Sequence, residues 1–356
     1  MSMGQSIRSL APAALLATLT LLSGASCVLG QQSTTPDVRW ISDFRDAEGN
    51  SPNGLDDGAD DTPALLAALA AGPGVVRIGP GQFRLGNVLV PSGVTLLGSG
   101  PATIIRSNGA KLIFAQRGGR DWAIRDMVLD GQARGPWRQR ADEGFGAILL
   151  EQCCHYDVSG LSLRNFSGPA LRVTRTGAEG TPITAGGRIS HIVAEGNHTG
   201  VLLDRRGEYV ILTELCCRNN LRGCVIHAGN ITLANSSFIS NVDGIVIRDK
   251  DNGSHGVVAN CLSNHNTRHA LWAADVLSGM VITGCCFFYG DILIENSTGV
   301  GITNGLLGCS VAVRGEGFNR IAGNRLFPAE GRSFDFGPTT IVEGNFGPEG
   351  PWSPSD

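Results

Sequence analysis

Five segments, far apart along this chain, repeat one short phrase. An Asn is followed by two variable residues, a fourth place usually held by Gly, and an apolar run. They are Asn165-Phe-Ser-Gly168, Asn197-His-Thr-Gly200, Asn220-Leu-Arg-Gly223, Asn241-Val-Asp-Gly244 and Asn266-Thr-Arg-His269. Their Asn residues are separated by steps of 32, 23, 21 and 25 residues. A recurrence in that range marks a chain of stacked repeats rather than a globule around one centre. Each repeat reads as three short strands and three turns. In the clearest one, 231–234 and 237–239 are the first two strands, Asn241 to Gly244 turn the corner, and Ile245 to Ile247 form the third. Gly146 to Leu150 match strand three and extend the period backward.

The expected fold is all-β: a parallel β-helix, a solenoid of three-strand coils with a short N-terminal capping helix. Stacked coils lie about 4.8 Å apart and hydrogen-bond continuously. An inward Asn at the same corner of each coil bonds its amide to the Asn above and below. The spacing therefore predicts a structural ladder of Asn165, Asn197, Asn220, Asn241 and Asn266. Gly three places later suits a left-handed or crowded backbone position.

Composition agrees. The 356 residues include 50 Gly, which serves many tight turns, and the net charge of −4 gives no basic surface for nucleic acid. Arg8 followed by the apolar stretch Leu10 to Leu22 reads as a signal peptide over residues 1–30, too short for a membrane span. The expected location is secreted or cell-surface. Lipidation at Cys27 is the less favoured alternative, and no transmembrane segment is expected. The doublets Cys153-Cys154, Cys216-Cys217 and Cys285-Cys286 lack zinc-knuckle spacing. One Cys of each doublet fits the core as a small hydrophobe. A single β-helix domain is expected over 37–346, with a loose Pro-rich tail over 347–356.

The N-terminal part is more specific. Asp60-Asp61-Thr62-Pro63 reads as a helix start, and Ala64 to Ala71 form a short apolar helix stopped at Gly72-Pro73-Gly74. Val75-Val76, Gly79-Pro80-Gly81 and Pro91-Ser-Gly-Val94-Thr-Leu-Leu-Gly98-Ser-Gly100 follow. This run, over about residues 41–106, resembles the N-terminal cap and first coils of the pectate-lyase-like right-handed parallel β-helix superfamily. The resemblance implies the fold and action on polysaccharide. It leaves lyase, hydrolase and epimerase chemistry open, because these share one frame.

Charge concentrates in the stretch after strand three. If these loops keep register, they form one side of an elongated groove suited to a sugar chain. The candidate catalytic residues are Asp204, Arg248, Asp249, Lys250, Asp251, His255 and Asp275. Arg134, Trp137, Arg205 and Trp272 are candidate substrate-binding residues, since aromatic faces stack on sugar rings and Arg pairs with carboxylates. No cofactor is firmly implied; Ca²⁺ held by Asp249 and Asp251 would suit a lyase. As a hydrolase pair, Asp249 and Asp275 on adjacent coils would lie about 5 Å apart, the retaining spacing; Asp204 and Asp249 would lie about 9.6 Å apart. Asn241-Val-Asp243-Gly244 and Gly253-Ser-His255-Gly256 are similar to polygalacturonase motifs, but that family's paired Asp between them is missing. The expected function is that of a secreted carbohydrate-active protein, a polysaccharide lyase or glycoside hydrolase acting on an acidic polysaccharide. A non-catalytic glycan-binding or structural surface β-helix is the alternative.

Overall fold

A computed structural model describes residues 37–352, apart from 47, 140, 176–183, 249–253 and 328–330. The expected signal peptide and Cys27 lie outside the described residues. The chain is a right-handed parallel β-helix of about 11 turns. An 11-stranded parallel sheet carries strand three of every coil, and a second, longer sheet carries the first two strands.

Register is kept from coil to coil, so equivalent side chains stack. Leu171, Val201, Cys224, Ile245, Leu271, Ile292 and Val311 form one inward column along the strand-three sheet. Every member is fully buried. Cys224 behaves there as a hydrophobe, and burial pushes its thiol up to about 12. In each Cys doublet one member is buried and the other half-buried; for Cys216-Cys217, inside the strand Ile211–Arg218, alternation accounts for it.

The Asn corner works by a specific substitution. The residue before each ladder Asn is left-handed: Gly196, Asn219, Ser240 and His265 have φ of 66°, 54°, 57° and 53°. That twist takes a backbone N–H out of the coil-to-coil ladder, and the next Asn side chain accepts it instead. Asn197 N–H donates to Asn220 Oδ1 at 2.8 Å, Asn220 N–H to Asn241 Oδ1 at 2.9 Å, and Asn241 N–H to Asn266 Oδ1 at 2.9 Å. Each Nδ2 also donates to the next Oδ1, at 3.1 Å in all three steps. Gly200 and Gly223 are needed for crowding. A Cβ on either would stand 2.5 Å from the carbonyl oxygen of the next Gly in the column.

Asn165 is not a rung, which corrects the expected ladder. It is itself the left-handed residue, with φ 61°, and its Nδ2 donates to Asp130 Oδ1. The rung position belongs to Phe166, whose backbone N–H donates to Asn197 Oδ1 at 2.9 Å. This corner is one residue longer than the next. Pro169 and Leu171 pair with Thr199 and Val201, so Ala170 stands where Gly200 does.

Both ends are closed. The helix Thr62–Ala70 buries Ala64, Leu65, Ala68 and Leu69 against the first coils. Its acidic start does more than cap. Asp60 accepts the Thr62 N–H, while Asp61 Oδ2 accepts the Arg84 N–H at 2.9 Å and Thr62 Oγ1 accepts the Gly86 N–H at 3.1 Å. The last two latch the helix to the coil beneath. Arg39, from the strand Val38–Trp40, supplies the other cap by donating to the carbonyls of Ala68, Gly72 and Pro73. At the far end, the described part of the Pro-rich segment folds back on the last coil. Gly350–Pro351 pairs antiparallel with Phe346–Gly347, and Trp352 packs on Phe334 and Phe336 at 5.6 and 5.7 Å. An apolar cover of this kind is what an open solenoid end requires.

Candidate functional site

The strand-three sheet presents a floor made of three rows. Its middle row is Arg172, Leu202, Val225, Val246 and Trp272, each paired with the next. These residues alternate with the core column, so they face outward. Along the entry edge stand Thr199, Arg222, Asp243 and His269. Along the exit edge Asp204, His227 and Arg248 each follow the last inward residue of their strand, namely Leu203, Ile226 and Ile247. An apolar row thus runs between two ionisable edges; Leu202 is half-buried, and Val225 and Val246 are covered.

Over the first coils of this floor lies a cleft of about 680 Å³. The insertion after Gly131 builds one wall and brings Asp142 and Glu143 to it; Asp204 and His227 stand at the other, and Lys111, Arg172 and Arg222 add positive charge. Asp204 is 9% exposed, and its Oδ2 accepts from Arg172 Nη2 at 2.7 Å. Its Oδ1 and the Arg172 Nε are buried without a protein partner among the described residues. Such orphans cost about 1–3 kcal/mol each unless a ligand or water completes them. His198 lies behind the entry edge with its Nδ1 3.1 Å from Thr199 Oγ1. Burial lowers its pKa; Asp142 opposes this and Arg222 reinforces it, so the ring is held neutral.

Further along the floor is a second cluster. The Asp243 side chain is fully buried. Arg268 Nε donates to its Oδ1 at 2.8 Å, Arg268 Nη2 donates to its Oδ2, and His269 Nδ1 lies 2.9 Å from Oδ1. Burial pushes the Asp243 carboxyl up, but the bonds from His269 and Arg268 outweigh it and hold the group below its ordinary value. Trp272 lies beside His269, with ring centroids 5.4 Å apart. The Arg248 guanidinium sits 4.8 Å from the Trp272 ring centre, and the indole N–H donates to Glu295 at 2.9 Å.

The residues singled out in the sequence fall in several places. Asp204, Arg248 and Trp272 belong to the floor and its exit edge. Asp275 is exposed in a left-handed turn, with Arg248 Nη2 3.9 Å from its Oδ2. Asp204 and Asp275 stand three coils apart, so at least about 14 Å separates their strands, beyond either hydrolase spacing. Asp204 also shares its column with His227 and Arg248, one place short of the column that holds Asp275. Arg205 is exposed in a left-handed turn beyond Asp204. The His255 ring packs over Gly229, where a Cβ would stand 2.2 Å from it. Arg134 lines a separate hollow on the insertion with Glu143 and Ser167, and Trp137 lies under Arg138 at 5.0 Å. Asp249, Lys250 and Asp251 lie outside the described residues. Among the described residues, no three His, Cys, Asp or Glu side chains group as a metal site. Arg222, Asp243 and His269 were not among the candidate site residues. Arg222 and Asp243 hold the third place of the repeated phrase and His269 the fourth, where the other segments carry Gly, so only their shared column brings them together.

No protein-family profile matches this chain, and no curated protein matches its sequence. Solved structures do. The tailspike protein of Escherichia coli bacteriophage HK620, in complex with a pentasaccharide, superposes with a TM-score of 0.60 at 13% identity over 86% of this chain and 65% of that one. This chain therefore spans just under two thirds of the tailspike's length. The catalytic unit of a GH87 α-1,3-glucanase from Streptomyces thermodiastaticus matches at 0.60 and 17% identity, over 92% of this chain and 71% of that one. An exopolygalacturonase from Thermotoga maritima matches at 0.52 and 12%, over 88% of both chains. At these identities the likeness establishes the shared fold, a right-handed parallel β-helix.

Proposed function

We propose that this chain is a secreted carbohydrate-active protein that acts on an acidic polysaccharide lying along the outer face of the strand-three sheet, as a lyase or glycoside hydrolase. One observation carries the reading: the 680 Å³ cleft sets Asp142, Glu143 and Asp204 around a floor with Arg172 and Arg222, beside an apolar strip. Carboxylates supply acid–base groups, Arg and Lys attract the polymer's charge, and the half-buried Leu149 and Leu202 offer apolar surface to sugar faces. The solved tailspike with its pentasaccharide and the α-1,3-glucanase support a glycan as the ligand class. The apolar segment at the N-terminus supports export.

The test is incubation of the mature protein with uronate-containing and neutral polysaccharides, with and without Ca²⁺. Reducing ends or unsaturated uronate absorbance are expected from the acidic polymers, and Asp204→Asn or Arg172→Ala should weaken binding. Glycan binding without turnover would favour the non-catalytic reading. Absence of binding and turnover across the panel would reject both.

A further inference from the structure

The cluster at Asp243 lies beyond the cleft but on the same floor. Arg222 pairs with Asp243 and Val225 with Val246, so each row runs without a break from one to the other. A ligand running two more coils, about 10 Å, over the side chains that cover Val225 and Val246 reaches Trp272.

The chemistry there is directional. Asp243 is an ionised acceptor with its oxygens taken by Arg268 and His269. A carboxylate cannot donate, so the His269 contact requires a proton on Nδ1. In the neutral ring this leaves the lone pair on Nε2. The His269 side chain keeps 14% of its surface accessible while Asp243 keeps none, so the dyad is anchored on its acid and open at its base. Arg248, on the neighbouring strand, stacks over Trp272, and its Nε has no protein partner among the described residues. A cation, an aromatic face and an oriented imidazole thus share one stretch of floor.

We propose that His269, positioned by Asp243, is the base that removes the proton next to the carboxylate of a uronate residue bound against the stacked Arg248–Trp272 pair. This rests on the reading that the floor binds an acidic polysaccharide, and it narrows that reading to a lyase. The C5–H bond breaks and its proton passes to Nε2. The electron pair spreads into the uronate carboxylate, whose added charge Arg248 meets. The pair then forms the C4–C5 double bond as the C4–O4 bond breaks. The departing oxygen leaves with the bonding pair and takes a proton from His269 or water. No oxidant or reductant is consumed. His269 is the catalytic residue and Asp243 its positioning residue.

The experiment compares the full chain with His269→Gln and Asp243→Asn on uronate oligosaccharides. The Gln amide can still donate to Asp243 but has no base to offer, which separates lost chemistry from lost fold. General-base loss predicts a fall in kcat of about 10²–10⁴-fold with KM within about threefold. In protein with ¹⁵N-labelled His, Asp243→Asn should move the His269 proton from Nδ1 toward Nε2, a readout that needs no turnover. If the native protein forms unsaturated uronate ends and His269→Gln does so at a comparable rate, or if the native His269 proton sits on Nε2, the dyad is rejected while the polysaccharide reading stands. If the native protein releases only reducing ends, it is a hydrolase and this base assignment fails alone. If it neither binds nor changes any uronate polymer, both fall.

Discussion

At the corner before strand three, four successive coils place Asn197, Asn220, Asn241 and Asn266 in one slot, each after a left-handed residue. At the bend inside the longer sheet the slot runs Met127, Leu161, Ile192, Leu215, and then Ser236, Cys261, Cys285, Gly305, Asn324, Asn345. A left-handed residue precedes it there too, from Asp126 through Glu214 to Gly344. Both sites twist a peptide out of the coil-to-coil ladder. The corner uses one kind of side chain to recover the lost bond, whereas the bend changes its method midway. Up to Arg218 the strands run through the bend unbroken, as in Cys154–Arg164, and the slot is apolar. From Ile231 onward each strand divides, as in Ile231–Ala234 and Ser237–Ile239. There the slot is small or polar: Ser236 Oγ takes the Leu215 N–H at 3.1 Å, and Asn345 Oδ1 takes the Asn324 N–H at 2.9 Å. A kinked β-helix can thus hold its core with burial or with bonded side chains, and the strand breaks where it uses the second.

Substitutions separate these devices. Asn220→Ala should cost most. It removes the acceptor of the Asn197 N–H and Nδ2, takes a donor from the Ala194 carbonyl and leaves Asn241 Oδ1 with only the backbone N–H of residue 220, for a loss of about 3–5 kcal/mol in urea unfolding followed by two probes. A loss under about 1 kcal/mol would mean that water replaces a rung, and the corner would be no different from the bend. Ser236→Ala orphans chiefly the Leu215 N–H, so about 1–3 kcal/mol is expected. Asn165→Ala touches a half-buried side chain outside the ladder and should cost about 1 kcal/mol or less, mainly through the left-handed backbone that Asn tolerates. Equal costs for Asn165→Ala and Asn220→Ala would restore Asn165 to the ladder.

A pH-dependent effect concerns a charged acceptor in the same role. Asp61 takes the Arg84 N–H as the amides take theirs, but burial raises its pKa from 3.8 to about 6. The folded state then binds this proton more tightly than the unfolded state. The associated stability is present below about pH 3.8 and is lost as pH rises through about 6. Asp61→Asn should flatten this part of the melting-temperature profile, and Asn220→Ala should leave its slope unchanged.

Much of the fold is legible along the chain because its determinants are local and repeated. The period, the Asn phrase and the Asp60-Asp61-Thr62-Pro63 helix start each occupy a few adjacent residues. Asn165 misleads for a local reason as well. Its corner carries one extra residue, so a left-handed Asn repeats the spelling of a ladder Asn. The column through Ser236, Cys261 and Asn324 escapes notice because different side chains do one job. Arg222, Asp243 and His269 fall at different places of the repeated phrase, yet they share an edge.

What the sequence alone determined is the coil: its length, its three strands and the burial of every second side chain, because these follow from backbone alternation and turn preferences within about 25 residues. What only the tertiary structure decided is which residues of different coils face one another. That depends on register summed over successive turns. One added residue at a corner, such as the one between Phe166 and Leu171, resets it without altering the local pattern that announces the coil.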